Sequence, residues 1–317
     1  MTAAGVRPRV QRPGARAPDG LPAPRRRGVL GRVPVLVWLF LAVPLAVEVF
    51  WVFWPAFNSF SLSFTSWKGV GAAKPVGLDN YTKLFADPIF ATALRNNVIW
   101  VIGFGGLSVV GGLGLAVALN RPGRGVGFYR SAIYLPMVIS LAVTGLFWRV
   151  MYQPDGPIDA GLGALGLGAW SRQWLADPDI ALYAVLIAAV WRQVGYIMVL
   201  YLAGLKGTDP TLEEAAAVDG ANAWQRFWKI VMPQLRGVNT VVFAVTVIDS
   251  LRTFDIVWAM TRGGPYNMTQ LLSTYMFQQG FTLVNLGYGS AIAVVIFLLA
   301  VAFIITYLVR QSRAEES

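Results

Sequence analysis

Six apolar runs of about 20 residues or more limit what this chain can fold into. A bilayer core about 30 Å thick is crossed by roughly 20 residues of α-helix, because each residue adds about 1.5 Å. The runs therefore predict six transmembrane helices in an all-α membrane protein. Their expected ranges are 33–57, 96–119, 131–152, 180–204, 237–260 and 287–309.

The composition supports a membrane protein and excludes several other classes. Apolar residues make up 56% of the 317 residues and charged residues only 13%, a balance typical of membrane proteins. The absence of Cys and His excludes thiolate chemistry, disulfides, Cys/His metal sites and histidine proton relays. The formal charge of +10 arises from Lys and Arg at the ends of the apolar runs, so a nucleic-acid partner is not expected.

The positions of Lys and Arg predict the orientation in the membrane. Short connections on the cytoplasmic side of a membrane are enriched in these residues. Eight Arg precede the first run, whereas only seven Lys and Arg fall in the connections that six crossings place on the opposite side. Both termini are therefore expected in the cytoplasm, and the chain is expected to be a multi-pass protein of the inner (cytoplasmic) membrane.

The expected organisation is a basic tail at 1–31, a transmembrane domain at 32–311 that contains a cytoplasmic loop at 205–236, and a C-terminal tail at 312–317. The first tail is rich in Arg, Pro, Gly and Ala and has too few large apolar residues to bury a core, so we expect it to be disordered. The first apolar run exceeds the usual hydrophobic region of a secretory signal and is expected to be retained.

The hydrophilic loop between the fourth and fifth runs carries two helix-start signals. Asp209 can cap free backbone N–H groups and Pro210 fits the first position of a helix. Gly220 is a natural C-terminal cap, Asn222 can cap a second short helix, and Pro233 is expected to end it. The sequence therefore predicts two short helices with a break between them.

The residues of this loop favour docking to a protein, although lying on the membrane surface stays an alternative. The run Ala215 to Ala217 offers little apolar area to lipid but lets another protein surface come close. Acidic and basic residues of the loop balance, whereas a helix on a lipid surface is usually basic.

The same loop resembles the EAA loop of permease subunits from binding-protein-dependent ABC importers. The matching residues are Glu214-Ala215-Ala216, Asp219-Gly220-Ala221, Trp224-Gln225, Phe227, Ile230 and Pro233. The stretches GLDNY, AGLKG, FDIVWAMTRGGP and GYGSA agree as well, so the resemblance covers roughly residues 33–310. It is closest to the carbohydrate-uptake branch, in particular the first permease subunit of the maltose and glycerol-phosphate type. The chain departs from the family at Thr208-Asp209, where Ile-Pro is usual.

The resemblance implies a type I ABC importer permease (MetI-like) core and a coupling mechanism. The EAA helix docks on a separate ATPase subunit, where Glu214 pairs with a basic residue, and ATP-driven closure switches the pathway between its two sides. The implied coupling residues are Glu213, Glu214, Ala215, Ala216, Asp219, Gly220, Ala221, Phe227 and Pro233.

The resemblance also implies partners. They are a second homologous permease subunit, two ATPase subunits and an extracytoplasmic solute-binding protein, in addition to membrane lipid. This chain has no G-x-x-x-x-G-K-[ST] phosphate loop, so ATP and Mg are expected on the ATPase subunits and no cofactor is expected on this chain. It is not expected to be an enzyme, because no catalytic or metal-ligand cluster is apparent.

Polar residues within the apolar runs indicate a candidate substrate pathway. Glu48, Arg192 and Asp249 lie near the middle of runs, where charges are costly and point to function. They either contact substrate or neutralise one another, and the sequence leaves both open. Four residues of the fifth run share one helical face and form a polar strip suited to sugar hydroxyls. They are Thr246, Asp249, Ser250 and Thr253.

Alignment on the motifs of the family that the chain resembles implies further positions. Gln193 and Tyr196, like Asp249, Ser250 and Thr253, match positions that contact sugar in maltose-type relatives. Only Tyr196 keeps the family's residue type, so the pocket is expected to be adapted to another ligand. The candidate substrate-pathway residues are Arg192, Gln193, Tyr196, Thr246, Asp249, Ser250 and Thr253.

The expected function is that of a permease subunit that forms half of the pathway for a sugar or related polyol by alternating access. The alternative is a self-sufficient secondary transporter or channel, in which Glu48, Arg192 and Asp249 relay protons or ions. The charge-balanced loop discriminates between the two, because a transporter without an ATPase partner has no use for a docking helix.

Overall fold

The computed structural model describes residues 35–315, so the predicted disordered tail at 1–31 lies outside the described residues. The chain divides into two units between Trp54 and Pro55. In the first unit, α1 (Val35–Glu48) leads into a π-helical segment (Val49–Phe53). The side chains described in this unit are exposed throughout, which is expected of a helix that presents its apolar surface to lipid or to another subunit.

The second unit contains most of the helices. Helix α2 (Trp54–Leu62) begins at the junction, and a two-stranded antiparallel hairpin follows, with β1 (Thr65–Ser66) paired to β2 (Lys74–Pro75). The next helices are α3 (Asp79–Phe85), α4 (Pro88–Leu119), α5 (Val126–Val138), α6 (Leu141–Met151), α7 (Pro157–Ala164) and α8 (Ala181–Leu205), with a 3-10 turn (Gly168–Trp170) after α7. The remaining helices are α9 (Pro210–Val218), α10 (Ala223–Arg226), α11 (Met232–Gln234), α12 (Arg236–Arg252), α13 (Asp255–Met260), α14 (Leu272–Phe277) and α15 (Leu286–Glu315), with π-helical segments at Phe227–Val231 and Gln278–Thr282.

Four helices in the described part of the chain are long and apolar enough to cross a membrane. They are Val37–Leu62, Pro88–Leu119, Ala181–Leu205 and Leu286–Tyr307. Two bent helix pairs raise the number to six if each pair counts as one span. They are Val126–Val138 with Leu141–Met151, and Ala223–Gln234 with Arg236–Arg252.

The expected single helix at 131–152 is wrong, because α5 and α6 meet there at an angle of 102°. Pro136 lies inside α5, where it has no N–H to donate to the helix. The side chain of Ser140 then caps α6 by accepting a hydrogen bond from the N–H of Val143 at 3.4 Å. A helix end and a new helix start therefore follow each other within four residues.

The expected single helix at 237–260 is also wrong, since α12 ends at Arg252 and α13 begins at Asp255. Phe254, between them, has a non-helical backbone conformation. The carbonyl of Thr253 accepts a hydrogen bond from the hydroxyl of Ser273 instead of from its own helix. This tertiary bond compensates for the helical bond lost at the break.

Two other boundaries differ from the sequence-based expectation. Residues 88–95, which precede the expected transmembrane range 96–119, form the first two turns of α4, because Asp87 caps that helix by accepting from the N–H of Ile89 at 2.8 Å. Helix α15 runs to Glu315, so most of the expected C-terminal tail at 312–317 is helical.

Helix α8 lies at the centre of the second unit because small residues let its neighbours approach. A side chain at Gly195 would collide with the backbone of Ile133 on α5, and one at Gly112 of α4 would collide with Ile197 of α8. Small residues at helix contacts are typical of packing within membranes. These contacts with α4 and α5 fix the orientation of α8, and with it the direction in which the polar face of α8 points.

Candidate functional site

The coupling segment, defined here as residues 209–234, forms two short helical runs as expected. Asp209 caps α9 by accepting from the backbone N–H of Thr211 at 2.9 Å and from its hydroxyl at 2.8 Å. These hydrogen bonds lower the pKa of the Asp209 carboxyl. Pro210 occupies the first turn, so the predicted helix start is confirmed.

The turn between the two runs is also confirmed. Gly220 adopts the left-handed conformation with φ of +85°, which a residue without Cβ tolerates best. Asn222 and Gln225 form a reciprocal capping box, with N–H to side-chain distances of 2.9 and 3.0 Å. The second run continues through a π-helical segment and ends at Gln234, one residue beyond Pro233.

Most of the surface of the coupling segment is open. Glu213 forms an ion pair with Arg226 at 3.7 Å. The neighbouring Glu214 is exposed, and its side chain has no hydrogen bond or ion pair within residues 35–315. Among the other expected coupling residues, Ala215, Asp219, Gly220 and Pro233 are exposed, and Ala216, Ala221 and Phe227 are half-buried.

A shallow groove of about 260 Å³ runs between the two helical runs of the coupling segment. Leu212 and Trp224 are also exposed, by 51% and 71%. Exposed large apolar side chains next to a groove are typical of a protein-docking surface. The groove is lined by Ala216, Asp219, Gly220, Ala221, Gln225, Lys229 and Ile230.

A second feature, the central cavity, lies where α8 meets the break between α12 and α13. Its volume is about 280 Å³. The two helix breaks described above therefore bound one cavity, since residues from the end of α5, the start of α6 and the break after Arg252 all contribute. The lining residues are Phe104, Met137, Leu141, Ala189, Arg192, Gln193, Asp249, Arg252, Thr253, Phe254, Asp255 and Ile256.

Arg192 holds the broken end of α5 and does not form the ion pair that the sequence left open. Its Nε donates to the carbonyl of Ile139 at 3.0 Å, and its Nη2 donates to the carbonyl of Met137 at 3.1 Å. These carbonyls lack helical partners because α5 ends there. Within the described residues, no carboxylate lies within 4 Å of the Arg192 guanidinium.

Asp249 faces the same cavity and is held by a neutral partner. The side-chain amide of Gln193 donates to its Oδ2 at 3.0 Å. The hydroxyl of Thr253 donates to the backbone carbonyl of Asp249 at 2.8 Å. The lone pairs of the Thr253 hydroxyl oxygen therefore stay available to the cavity. Arg192, Gln193, Asp249 and Thr253 are thus brought together.

The other three candidate pathway residues and Glu48 do not line the central cavity. Thr246 and Ser250 are buried, and their hydroxyls donate to carbonyls of their own helix, at Val242 and Thr246. Tyr196 is half-buried against an apolar cluster that includes Met198. Glu48 is exposed at the end of α1.

The structure adds lining residues that the candidate set omitted. Arg252 and Asp255 flank the helix break and offset each other's charge, and Phe104 and Phe254 add aromatic rings. A signal for the two charged residues was present, since both interrupt an apolar run. The two rings are brought in by helix packing, which no local pattern reveals.

Comparisons with known proteins agree with this architecture. Residues 108–314 match the model of a family described as binding-protein-dependent transport system inner membrane component. The chain is 33% identical to a lactose transport system permease protein of Rhizobium radiobacter, over 87% of this chain and 94% of that protein. It is 34% identical to a diacetylchitobiose uptake system permease protein of Streptomyces coelicolor, over 92% and 86%.

The fold is similar to that of a chain in the crystal structure of a bacterial ABC transporter involved in the import of the acidic polysaccharide alginate. The TM-score is 0.75 and the sequence identity 20%, and the match covers 88% of this chain and 96% of the other. At this identity the likeness concerns the fold.

Proposed function

Because the chain belongs to the family of binding-protein-dependent transport system inner membrane components, we propose that it forms half of the membrane pathway of an ATP-driven importer for neutral sugars or related polyols. The chain is an ABC importer permease subunit, and ATP hydrolysis belongs to separate subunits. The observation that most directly supports a neutral sugar as the substrate is the chemistry of the central cavity.

The central cavity offers what a neutral sugar requires. Its two cations, Arg192 and Arg252, are offset by two carboxylates, Asp249 and Asp255. Hydrogen-bonding side chains therefore line it without a net charge that would favour an anion or a cation. The rings of Phe104 and Phe254 supply apolar faces for the C–H patches of a sugar. Relatives named for lactose and diacetylchitobiose transport support the same class of substrate.

We propose six spans for this pathway, with both termini in the cytoplasm of the cell. The spans are the run α1–α2, α4, the pair α5–α6, α8, the pair α12–α13 and α15. Helix α12 is paired here with α13 and not with residues 223–234, because those residues belong to the coupling segment. Non-helical backbone at membrane depth is tolerated where it lines a cavity, and both helix breaks lie at the central cavity. Broken helices at a binding site are common in transporters.

The coupling segment is proposed to dock on an ATPase subunit through its open surface. Glu214 is free to pair with a basic residue of that subunit, whereas Glu213 already pairs with Arg226. The full assembly then comprises this chain, a second permease subunit, two ATPase subunits that bind ATP and Mg, and an extracytoplasmic solute-binding protein.

Uptake by the reconstituted assembly tests this proposal. Proteoliposomes that contain this chain, its partner permease and the ATPase subunits are supplied with the solute-binding protein and with labelled lactose, diacetylchitobiose or galacturonate. We expect accumulation of a neutral sugar that requires both ATP and the solute-binding protein, with little uptake of the acidic sugar. ATP-independent accumulation would instead support a secondary transporter, and failure to accumulate any neutral sugar would contradict the proposed substrate class.

A further inference from the structure

A second cavity, here called the distal cavity, lies farther from the coupling segment than the central cavity does. Its volume is about 530 Å³. At its base, the hydroxyl of Tyr152 donates to the carbonyl of Ala184 on α8 at 3.2 Å. Ala184 precedes Arg192 by eight residues, or roughly 12 Å along the helix. The distal cavity is lined by Arg149, Tyr152, Gln153, Pro154, Gln173, Leu175, Ala176, Met260, Thr261, Gly264 and Pro265.

The rim of the distal cavity carries hydrogen-bonding groups that no other part of the described chain uses. Arg149, Gln153 and Gln173 are exposed, and among residues 35–315 none of their side chains has a hydrogen bond or an ion pair. One guanidinium and two amides therefore present donors and acceptors to a single space. They can bind hydroxyl groups without first breaking a bond within the protein.

The floor of the distal cavity is apolar and firmly held. Tyr152 and Met260 are 6% and 4% exposed, and the ring of Tyr152 packs between Trp148 and Trp174 at 5.2 and 5.8 Å. The indole N–H of Trp174 donates to Asp159 at 2.9 Å, which fixes the loop that forms one wall. An apolar floor with amides and a guanidinium at the rim suits a sugar ring, which has C–H patches on its faces and hydroxyls at its edge.

The same two helices connect the distal cavity to the central cavity. Leu141 of α6 and Ile256 of α13 line the central cavity, and Arg149 and Met260, farther along these helices, line the distal one. Between the cavities, Gly145 lies so close to α13 that an added Cβ would be 2.7 Å from the Cβ of Ala259. Helices α6 and α13 are therefore tightly packed on the stretch that separates the two cavities.

Helix α6 carries two buried polar groups that have no partner in the described part of the chain. The hydroxyl of Thr144, which is 1% exposed, and the indole N–H of Trp148 are buried and form no hydrogen bond there. Both belong to α6 and lie one turn apart, between the ends that line the two cavities. A hydroxyl-rich solute that moves along α6 from one cavity to the other can offer these groups hydrogen-bond partners, which an apolar solute cannot.

We propose that the distal cavity is a second carbohydrate-binding site, which holds a neutral sugar before it reaches the central cavity. The sugar's hydroxyls bind Arg149, Gln153 and Gln173, and its apolar face lies on Tyr152 and the neighbouring prolines. This inference rests on the proposed function, because the sugar bound here is the one that is transported.

The absence of Cys from the chain makes a direct test possible. Cysteine is introduced singly by Gln153→Cys and Gln173→Cys, at exposed positions where folding is not at risk, and the complete permease–ATPase assembly is placed in nanodiscs. The rate of modification by a sulfonate-bearing methanethiosulfonate is measured on this chain with and without the sugar found in the uptake assay. The solute-binding protein is left out, so that its docking cannot shield the thiols.

We expect the transported sugar to slow modification at both positions saturably, by about tenfold when the sugar is present at ten times its Kd. The matched control Ala160→Cys, exposed on α7 outside the cavity, is expected to react at the same rate throughout. Unchanged rates at both positions, with wild-type uptake of that sugar intact, would overturn the second site and leave the proposed function standing. Absence of uptake for every neutral sugar would contradict both.

Discussion

The coupling segment and the central cavity are built in opposite ways. Each cap in the coupling segment joins residues two or three apart, as in Asp209 with Thr211 and Asn222 with Gln225. At the central cavity, the bonds made by the side chains of Arg192 and Gln193 join residues more than 50 apart, since Arg192 holds the carbonyl of Met137 and Gln193 holds Asp249. Local sequence therefore encodes the first region, and the packing of α8 creates the second.

This difference suggests a division of roles. A locally encoded helix pair can keep the same shape in permeases with different substrates, and so can dock on a similar ATPase partner in each. A cavity assembled from distant side chains can change its ligand through single substitutions without disturbing the docking surface. Substitutions in the coupling segment should therefore reduce transport of all sugars alike, and substitutions in the central cavity should change which sugar is transported.

The largest effect is expected from Glu214→Arg. Uptake should fall by about 100-fold or more, because bringing like charges together at a docking interface costs several kcal/mol. The measurement is uptake in proteoliposomes, with the amount of this chain in the membrane determined in parallel. Glu213→Gln is the matched control and should retain most uptake, because the half-exposed ion pair that it removes contributes about 1 kcal/mol.

A smaller and selective effect is expected from Asp249→Asn. The substitution keeps the side-chain size but removes a carboxylate, so uptake of a neutral sugar should fall by about tenfold through loss of a charged hydrogen bond. The ratio of galacturonate to neutral-sugar uptake should rise, because the cavity then carries a net positive charge. Competition uptake measures this ratio.

Ser250→Ala is the control for that variant, since Ser250 lies one residue away but bonds only to its own helix. Its uptake ratio should match that of the wild type. An equal change in both variants would show that Asp249 acts through the helix and not through the central cavity.

The smallest effect is expected from Asp209→Ala. Loss of a helix cap costs about 1 kcal/mol, so the first turn of α9 should fray and uptake should fall only a few-fold, equally for every sugar. Asp209→Asn keeps a capping oxygen and should restore uptake. If Asp209→Ala changed the preference among sugars, the two regions would not be independent.

The sequence predicted the coupling segment well because its signals are local. Asp209, Pro210, Gly220 and Asn222 each have an intrinsic preference for the position that they occupy, and neighbouring residues supply the capping hydrogen bonds. One bond is not local, since the N–H of Asp209 donates to Oε1 of Gln234 at 2.8 Å. The role of Glu214 stays a prediction, although the ion pair of Glu213 now distinguishes the two acidic residues.

The helix breaks were harder to predict because an apolar run continues on both sides of each break. Pro136 and Ser140 were local signals of the first break. The second break depends on Ser273, which supplies a bond to the carbonyl of Thr253 from 20 residues away. Helical periodicity placed Thr246 and Ser250 on the same polar face as Asp249, but both hydroxyls bond within the helix and leave the cavity to other residues.

The most direct test of this division is the number of sugar molecules transported per ATP hydrolysed. In the reconstituted assembly, Asp249→Asn should keep ATP hydrolysis stimulated by the loaded solute-binding protein but transport fewer neutral sugars per ATP. Glu214→Arg should lose the stimulated hydrolysis itself, whichever sugar is loaded. Fully stimulated ATP hydrolysis in Glu214→Arg would contradict the separation of coupling segment and central cavity. A loss of stimulated hydrolysis in Asp249→Asn as complete as the one expected for Glu214→Arg would contradict it as well.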